Sequence, residues 1–152
     1  MGLDFYLWWI KKSDGPVREQ MRNWKLEDLD LHELAYGRKS WELVLFLGCP
    51  TSDDCVGELQ LETWVDLMER LSWISPYLDE IREAICFGGI PQKREEELMN
   101  LYQEWYDKNF DEYPTLGYDF STGYMQTFWE AADTVLQYLE DPDYEVWMEA
   151  NY

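Results

Sequence analysis

The chain has 152 residues, 46% hydrophobic and 17% aromatic, and carries a formal charge of −20 from 32 acidic and 12 basic side chains. The length suits one domain with a substantial core, and the apolar content excludes a disordered acidic tail. The charge excludes direct nucleic-acid binding, since it repels phosphates, opposes docking on anionic membranes and favours basic partners.

Residues 2–12 are expected to form a strand, with Leu3, Phe5, Leu7 and Trp9 alternating with Asp4, Tyr6, Trp8 and Ile10. Its far end is apolar on both faces, as in a strand covered on two sides. Ser13-Asp14-Gly15-Pro16 marks a turn, and residues 17–29 are expected to be loop with at most one helical turn. Asp30 with Glu33 resembles a capping pair, which predicts a helix over 30–47 closed by Gly48 and Pro50. Residues 51–57 are expected to be loop.

Leu61, Trp64, Val65, Met68 and Leu71 then repeat at helical spacing. Ser75-Pro76 predicts the start of another helix carrying Leu78, Ile81 and Ile85 and ending at Gly88-Gly89. Pro91 opens a fourth helix with Leu98, Leu101, Tyr102 and Trp105. Residues 109–123 hold Pro114, Gly117 and Gly123 and read as irregular. Met125, Phe128, Trp129, Ala132, Val135, Leu136 and Leu139 predict one helix through four turns, stopped by Asp141-Pro142-Asp143. Tyr144, Val146 and Met148 alternate with Glu145, Trp147 and Glu149 as a closing strand. The expected fold class is α+β: one helix-dominated domain over 1–152, about five helices packed on a small sheet formed by the N- and C-terminal strands.

Chemistry is hard to find. His32 is the single histidine, which removes most zinc and non-haem iron arrangements, and no metal or cofactor is expected. Cys49, Cys55 and Cys86 are an odd count with no disulfide framework, and Cys86 is expected to serve as a small core residue. No nucleophile elbow, phosphate loop or dinucleotide fingerprint is present. Neither a secretory leader nor a membrane span is read, so a cytoplasmic protein is expected. Nothing positive supports an enzyme.

Met1-Gly2-Leu3-Asp4-Phe5-Tyr6-Leu7 and Glu33-Leu34-Ala35-Tyr36-Gly37-Arg38-Lys39 resemble a family of small phage and prophage proteins that begin G-L-D-M-Y-L and later carry E-x-x-Y-W-R-K on a helix. Here Phe5 replaces the methionine and Gly37 the tryptophan, and the motifs cover under a tenth of the chain. The resemblance implies a mobile-element origin and no particular reaction. Physically, Asp4, His32, Tyr36, Arg38 and Lys39 form a candidate ligand site in the least acidic stretch. The alternative is structural, with Arg38 and Lys39 paired to Glu42, Asp30 or Asp4.

Charge is distributed unevenly. Residues 1–50 carry −1, residues 51–152 carry −19, and residues 95–152 have fifteen acidic residues against Lys108 alone. Glu95, Glu96, Glu97, Glu104, Asp107, Asp111, Glu112, Glu130, Asp133, Glu140, Asp141 and Asp143 form the candidate partner-binding face, with Glu145 and Glu149 at the chain's end. Tyr106, Phe110, Tyr113 and Tyr118 are expected to be exposed anchors beside it, and Trp105 to be core. The leading expectation is a non-enzymatic inhibitor from a phage or mobile element, a nucleic-acid mimic filling the basic groove of a host defence protein or another nucleic-acid-binding protein, of anti-restriction or anti-CRISPR type. The alternatives are a small enzyme or ligand-binding protein using the Asp4/Tyr36/Arg38/Lys39 region, and an accessory protein whose acidity serves solubility.

Overall fold

The computed structural model describes residues 4–12, 29–38, 43, 46–48, 55–110 and 121–151. Strands β1 (Asp4–Lys11), β2 (His32–Arg38), β3 (Cys55–Glu58) and β4 (Tyr144–Asn151) form one antiparallel sheet in the order β2-β1-β4-β3. Helices α1 (Leu61–Leu71), α2 (Leu78–Cys86), α3 (Gln92–Asn109), α4 (Thr122–Glu130) and α5 (Ala132–Glu140) follow or lie between these strands, with a 3-10 segment over Ser72–Tyr77 joining α1 to α2. The fold is α+β, helices on a small antiparallel sheet. The terminal strands pair along their whole length, from Asp4 opposite Asn151 to Lys11 opposite Tyr144.

Two expected elements are corrected. The helix predicted to start at Asp30 is strand β2 in its first part. Ala35 and Gly37 alternate inward at a period of two, and Tyr36 lies between them opposite Tyr6. The open edge of β1 supplies a hydrogen-bonding ladder that local helix propensity does not outweigh. Leu34 is the extra residue of a bulge, because the register shifts between Leu7 and Trp8. Leu43 and Phe46 are helical, as expected, and Gly48 closes the turn at φ 96°. Of the loop expected over 51–57, residues 55–57 belong instead to β3, which extends the sheet beyond β4, and residues 51–54 lie outside the described residues.

Phe5 and Leu7 from β1, Ala35 from β2, and Val146, Met148 and Ala150 from β4 line the sheet's inner face. Trp64, Leu67 and Leu71 of α1, Ile81 of α2, and Met125, Phe128 and Val135 of α4 and α5 complete that core. Phe128 lies against Phe5 with ring centroids 5.9 Å apart. On the opposite face Ile10 and Trp147 are buried with Leu29, Leu31 and Val56 around them, so the far end of β1 is covered on both sides as its composition demanded.

The helix expected through four turns is broken at Ala131 into α4 and α5. The indole of Trp64 donates to the Ala132 carbonyl at 3.2 Å, and a side chain inserted at a backbone carbonyl is a recognised cause of such a kink. In α3 the buried stripe is Leu98, Tyr102 and Tyr106, while Leu101 is exposed and Trp105 only half-buried, short of the core position expected for it. Cys86 is exposed, not core. Ile85 in the same turn and Phe87 just after it are exposed as well.

Candidate functional site

The alternation of β1 turns Phe5 and Leu7 toward the helices and Asp4, Tyr6 and Trp8 to the outer face. Antiparallel pairing then sets Tyr36 on one side of Tyr6 and Glu149 on the other, with Trp147 beside Trp8 and Asn151 beside Asp4. Tyr36 donates its hydroxyl to Asp4 Oδ1 at 2.7 Å, Trp8 Nε1 donates to Glu149 Oε2 at 2.8 Å, and Asn151 Nδ2 donates to Glu149 Oε1 at 2.6 Å. Tyr6 packs on Trp8 at 5.3 Å and on Tyr36 at 5.0 Å between ring centroids. The result is a half-buried patch of three rings edged by two carboxylates, an arrangement that attracts cations through the ring faces as well as by charge.

Of the ligand site expected from sequence, Asp4 and Tyr36 are brought into direct contact. Arg38 stands opposite Asp4 in the register, and its side chain, like Lys39, lies outside the described residues. His32 is not part of this cluster. It stacks on Trp9 at 4.0 Å at the far end of β2 and pairs with Asp30 at 3.2 Å. Tyr6, Trp8, Glu149 and Asn151 were missed as members, although the alternation of the two terminal strands carries the signal that places them there.

The expected acidic face is divided. Glu96, Glu97, Glu104 and Asp107 are exposed on α3, which packs on α4 and the 3-10 segment. Asp133 and Glu140 are exposed on α5, which packs on β4 and α1. Several carboxylates are already engaged. Glu95 accepts from the Thr122 backbone N–H at 3.0 Å and from its hydroxyl, so it caps α4 from another helix. Glu130 pairs with Arg82. Asp141 is half-buried and accepts from the Asp143 N–H at 2.9 Å, shaping the turn into β4, while Asp143 itself is exposed. Arg94 pairs with Glu80 at 2.6 Å and Glu97 at 3.0 Å, and its hydrogen bond holds the Glu80 carboxyl below the usual range. Asp111 and Glu112 lie outside the described residues.

The aromatic anchors need correction too. Tyr106 is 2% exposed, because its hydroxyl accepts a 2.6 Å hydrogen bond from Arg70, itself buried. Phe110 is half-buried, its ring 4.4 Å from the same guanidinium. Arg70 also pairs with Asp66 at 3.2 Å and lies 5.1 Å from the Phe46 ring. A charged residue at helical spacing reads as surface, so this buried cation in an aromatic box leaves no trace in the hydropathy pattern. Tyr113 and Tyr118 lie outside the described residues. Among the described residues no three His, Cys, Asp or Glu side chains group as a metal site, and no helix is long and apolar enough to cross a membrane.

No family model matches the chain, and no curated protein or solved structure matches it significantly.

Proposed function

We propose that the protein is a non-enzymatic binding protein for a basic partner, with the exposed carboxylates of α3 as the docking surface and a nucleic-acid-binding protein as the class of target. The observation that carries this reading is how the cations are used. Arg70 is buried, and Arg82 and Arg94 are held in ion pairs with neighbouring helices. Glu96, Glu104 and Asp107 meanwhile face solvent in a region of residues 95–152 with one basic residue against fifteen acidic ones. Such a field speeds encounter with a basic groove and is screened by salt. An inhibitor of anti-restriction or anti-CRISPR type encoded by a mobile element is the specific form we infer, resting on the motifs at residues 1–7 and 33–39 together with the charge.

The test is to capture the partner from bacterial lysate and measure its affinity for the wild type and for the E96K/E104K/D107K variant as salt is raised. The reading expects capture of a basic nucleic-acid-binding protein, competition by DNA or RNA, and at least a tenfold loss in the variant. Equal affinity of the two proteins would remove α3 from the interface.

A second reading is favoured by the Asp4–Tyr36 hydrogen bond, which joins the two motif segments in one patch. On that reading the outer sheet face binds a small ligand. The rings and the carboxylates of Asp4 and Glu149 suit a guanidinium or ammonium group. Titration with L-arginine, and with phosphate in parallel, should shift the Trp8 indole N–H resonance with arginine alone. A response to phosphate instead would assign the site to an anion held by the Arg38 segment.

A further inference from the structure

The groove between α1 and α5 carries features that the α3 surface does not explain. Val65, Met68, Glu69 and Ser72 form one wall, spaced i, i+3, i+4 and i+7 along α1 and its 3-10 extension. Trp129, Ala132, Asp133 and Leu136 form the other, with the same spacing across α4 and α5. Trp64 lies between them, and the space they enclose is about 390 Å³.

Two facing stripes of this spacing are what a pair of helices presents to a third helix lying in the furrow between them. A stripe seven residues long spans roughly 10 Å, or two turns of the incoming helix. The polar atoms of the lining are largely satisfied. The Trp64 indole N–H is given to the Ala132 carbonyl, and the Ser72 hydroxyl to the Glu69 carbonyl. What remains for a ligand is apolar surface, including Val65 at 46% exposure, and one carboxylate on each wall, Glu69 and Asp133.

We propose that the α1–α5 groove receives the apolar face of a basic amphipathic helix from a partner protein, its apolar side chains against Val65, Met68 and Leu136 and its Lys or Arg side chains against Glu69 and Asp133. Charge complementarity selects this occupant: among the described residues the lining contains no basic side chain and carries a carboxylate on either wall, in a chain of net charge −20. A second copy would offer Phe87, which is 82% exposed, but two copies of this charge repel. The proposal rests on the partner being basic and is independent of whether α3 is the surface that meets it.

The experiment uses the whole chain and a synthetic Leu/Lys peptide of roughly 14 residues with leucines at i, i+3, i+4 and i+7, long enough to adopt helix once bound. A scrambled peptide of the same composition controls for charge. Calorimetric titration at ~0.15 M salt should show the patterned peptide binding at least tenfold tighter than the scrambled one. Val65→Glu should abolish that preference, as should Leu136→Gln on the opposite wall, with circular dichroism confirming that each variant is folded. The E69K/D133K variant should weaken the patterned peptide at least tenfold, while E96K/E104K/D107K keeps the preference. Equal binding of the two peptides, or full binding to both groove variants, overturns the proposal. So does a dimer in sedimentation that Val65→Glu dissolves, which would make a second copy the occupant. Loss of the preference in the α3 variant alone would reject the groove and leave the basic-partner reading standing.

Discussion

Tyr36 and Asp4 lie 32 residues apart in the chain and meet only because β2 folds back on β1, with a 2.7 Å hydrogen bond between them. Tyr36→Phe removes the donor and keeps the ring, so chemical denaturation should show a loss of about 1 kcal/mol with an unchanged m-value. Arg70 is the more consequential residue. Replacing it with Met keeps much of its length but leaves the buried Tyr106 hydroxyl without its 2.6 Å partner and removes the cation from between Phe46 and Phe110. Asp66, whose side chain is 45% exposed, can return to water, so the expected loss is roughly 2–3 kcal/mol instead of the larger cost of stranding a buried charge. A loss under half a kcal/mol in urea denaturation would show that the aromatic box closes without its cation. Lysine should rescue this only in part, since its ammonium lacks the planar fork that stacks on rings while bonding at its edge.

Carboxylates join elements here alongside the apolar core. Glu95 reaches from α3 to the first N–H of α4, whose own N-cap residue, Ser121, makes no side-chain capping bond. Glu95→Ala should therefore cost about 1 kcal/mol in thermal or urea unfolding, as loss of an N-cap does, while Glu96→Ala one residue along should change stability by under about 0.5 kcal/mol. Equal effects would mean that the cap carries no weight. Glu80 and Arg94 clamp α2 to α3 at 2.6 Å across the Gly88-Gly89 turn, where φ values of 105° and 118° call for glycine. The depressed pKa of Glu80 gives the pH dependence its sign. A carboxyl titrating lower in the folded chain than in the unfolded one contributes stability above its unfolded pKa, and that contribution is lost as pH falls through the folded value. Carboxyl resonances followed by NMR should place Glu80 below the ordinary glutamate value, and Arg94→Gln should raise it back toward that value.

At the scale of the whole molecule, charge opposes folding. With −20 on 152 residues and Arg70, Arg82 and Arg94 consumed in local pairs, the carboxylates that remain on the surface repel one another. Raising ionic strength from ~10 mM to ~0.2 M shortens the screening length from about 30 Å to under 10 Å and should raise the melting temperature. A fall on adding salt would show that the ion pairs outweigh the repulsion. The same surface should make partner capture most efficient at low salt, so binding and stability should respond to ionic strength in opposite directions. That opposition is expected of a protein whose charge serves binding, and it is measurable on one sample.

Ser75-Pro76, expected to open a helix, lies inside the 3-10 segment ahead of α2, which starts at Leu78. The periodicity of the terminal strands, the helix start at Pro91, the stop at Gly88-Gly89 and the charge asymmetry could all be read from residues in order. Each rests on short-range physics: alternation at a period of two, a fixed proline φ, a positive glycine φ, or simple addition of charges. From those followed the α+β class and the pairing of the two chain ends. The tertiary structure decided whatever depended on a neighbour distant in sequence. Residues 32–38 became a strand because β1 had an open edge, and the long C-terminal helix broke where Trp64 reached the Ala132 carbonyl. Tyr106 turned inward because Arg70 waits there, and Glu95 left the acidic face to cap α4. The site divides in the same way. Asp4 and Tyr36 could be named from the sequence, but Tyr6, Trp8 and Glu149 join them only through sheet register. The groove between α1 and α5 exists only because two stripes 64 residues apart in the chain face each other. Hydropathy and spacing describe which side of an element is apolar; what that side meets is set by packing, which depends on every other element at once.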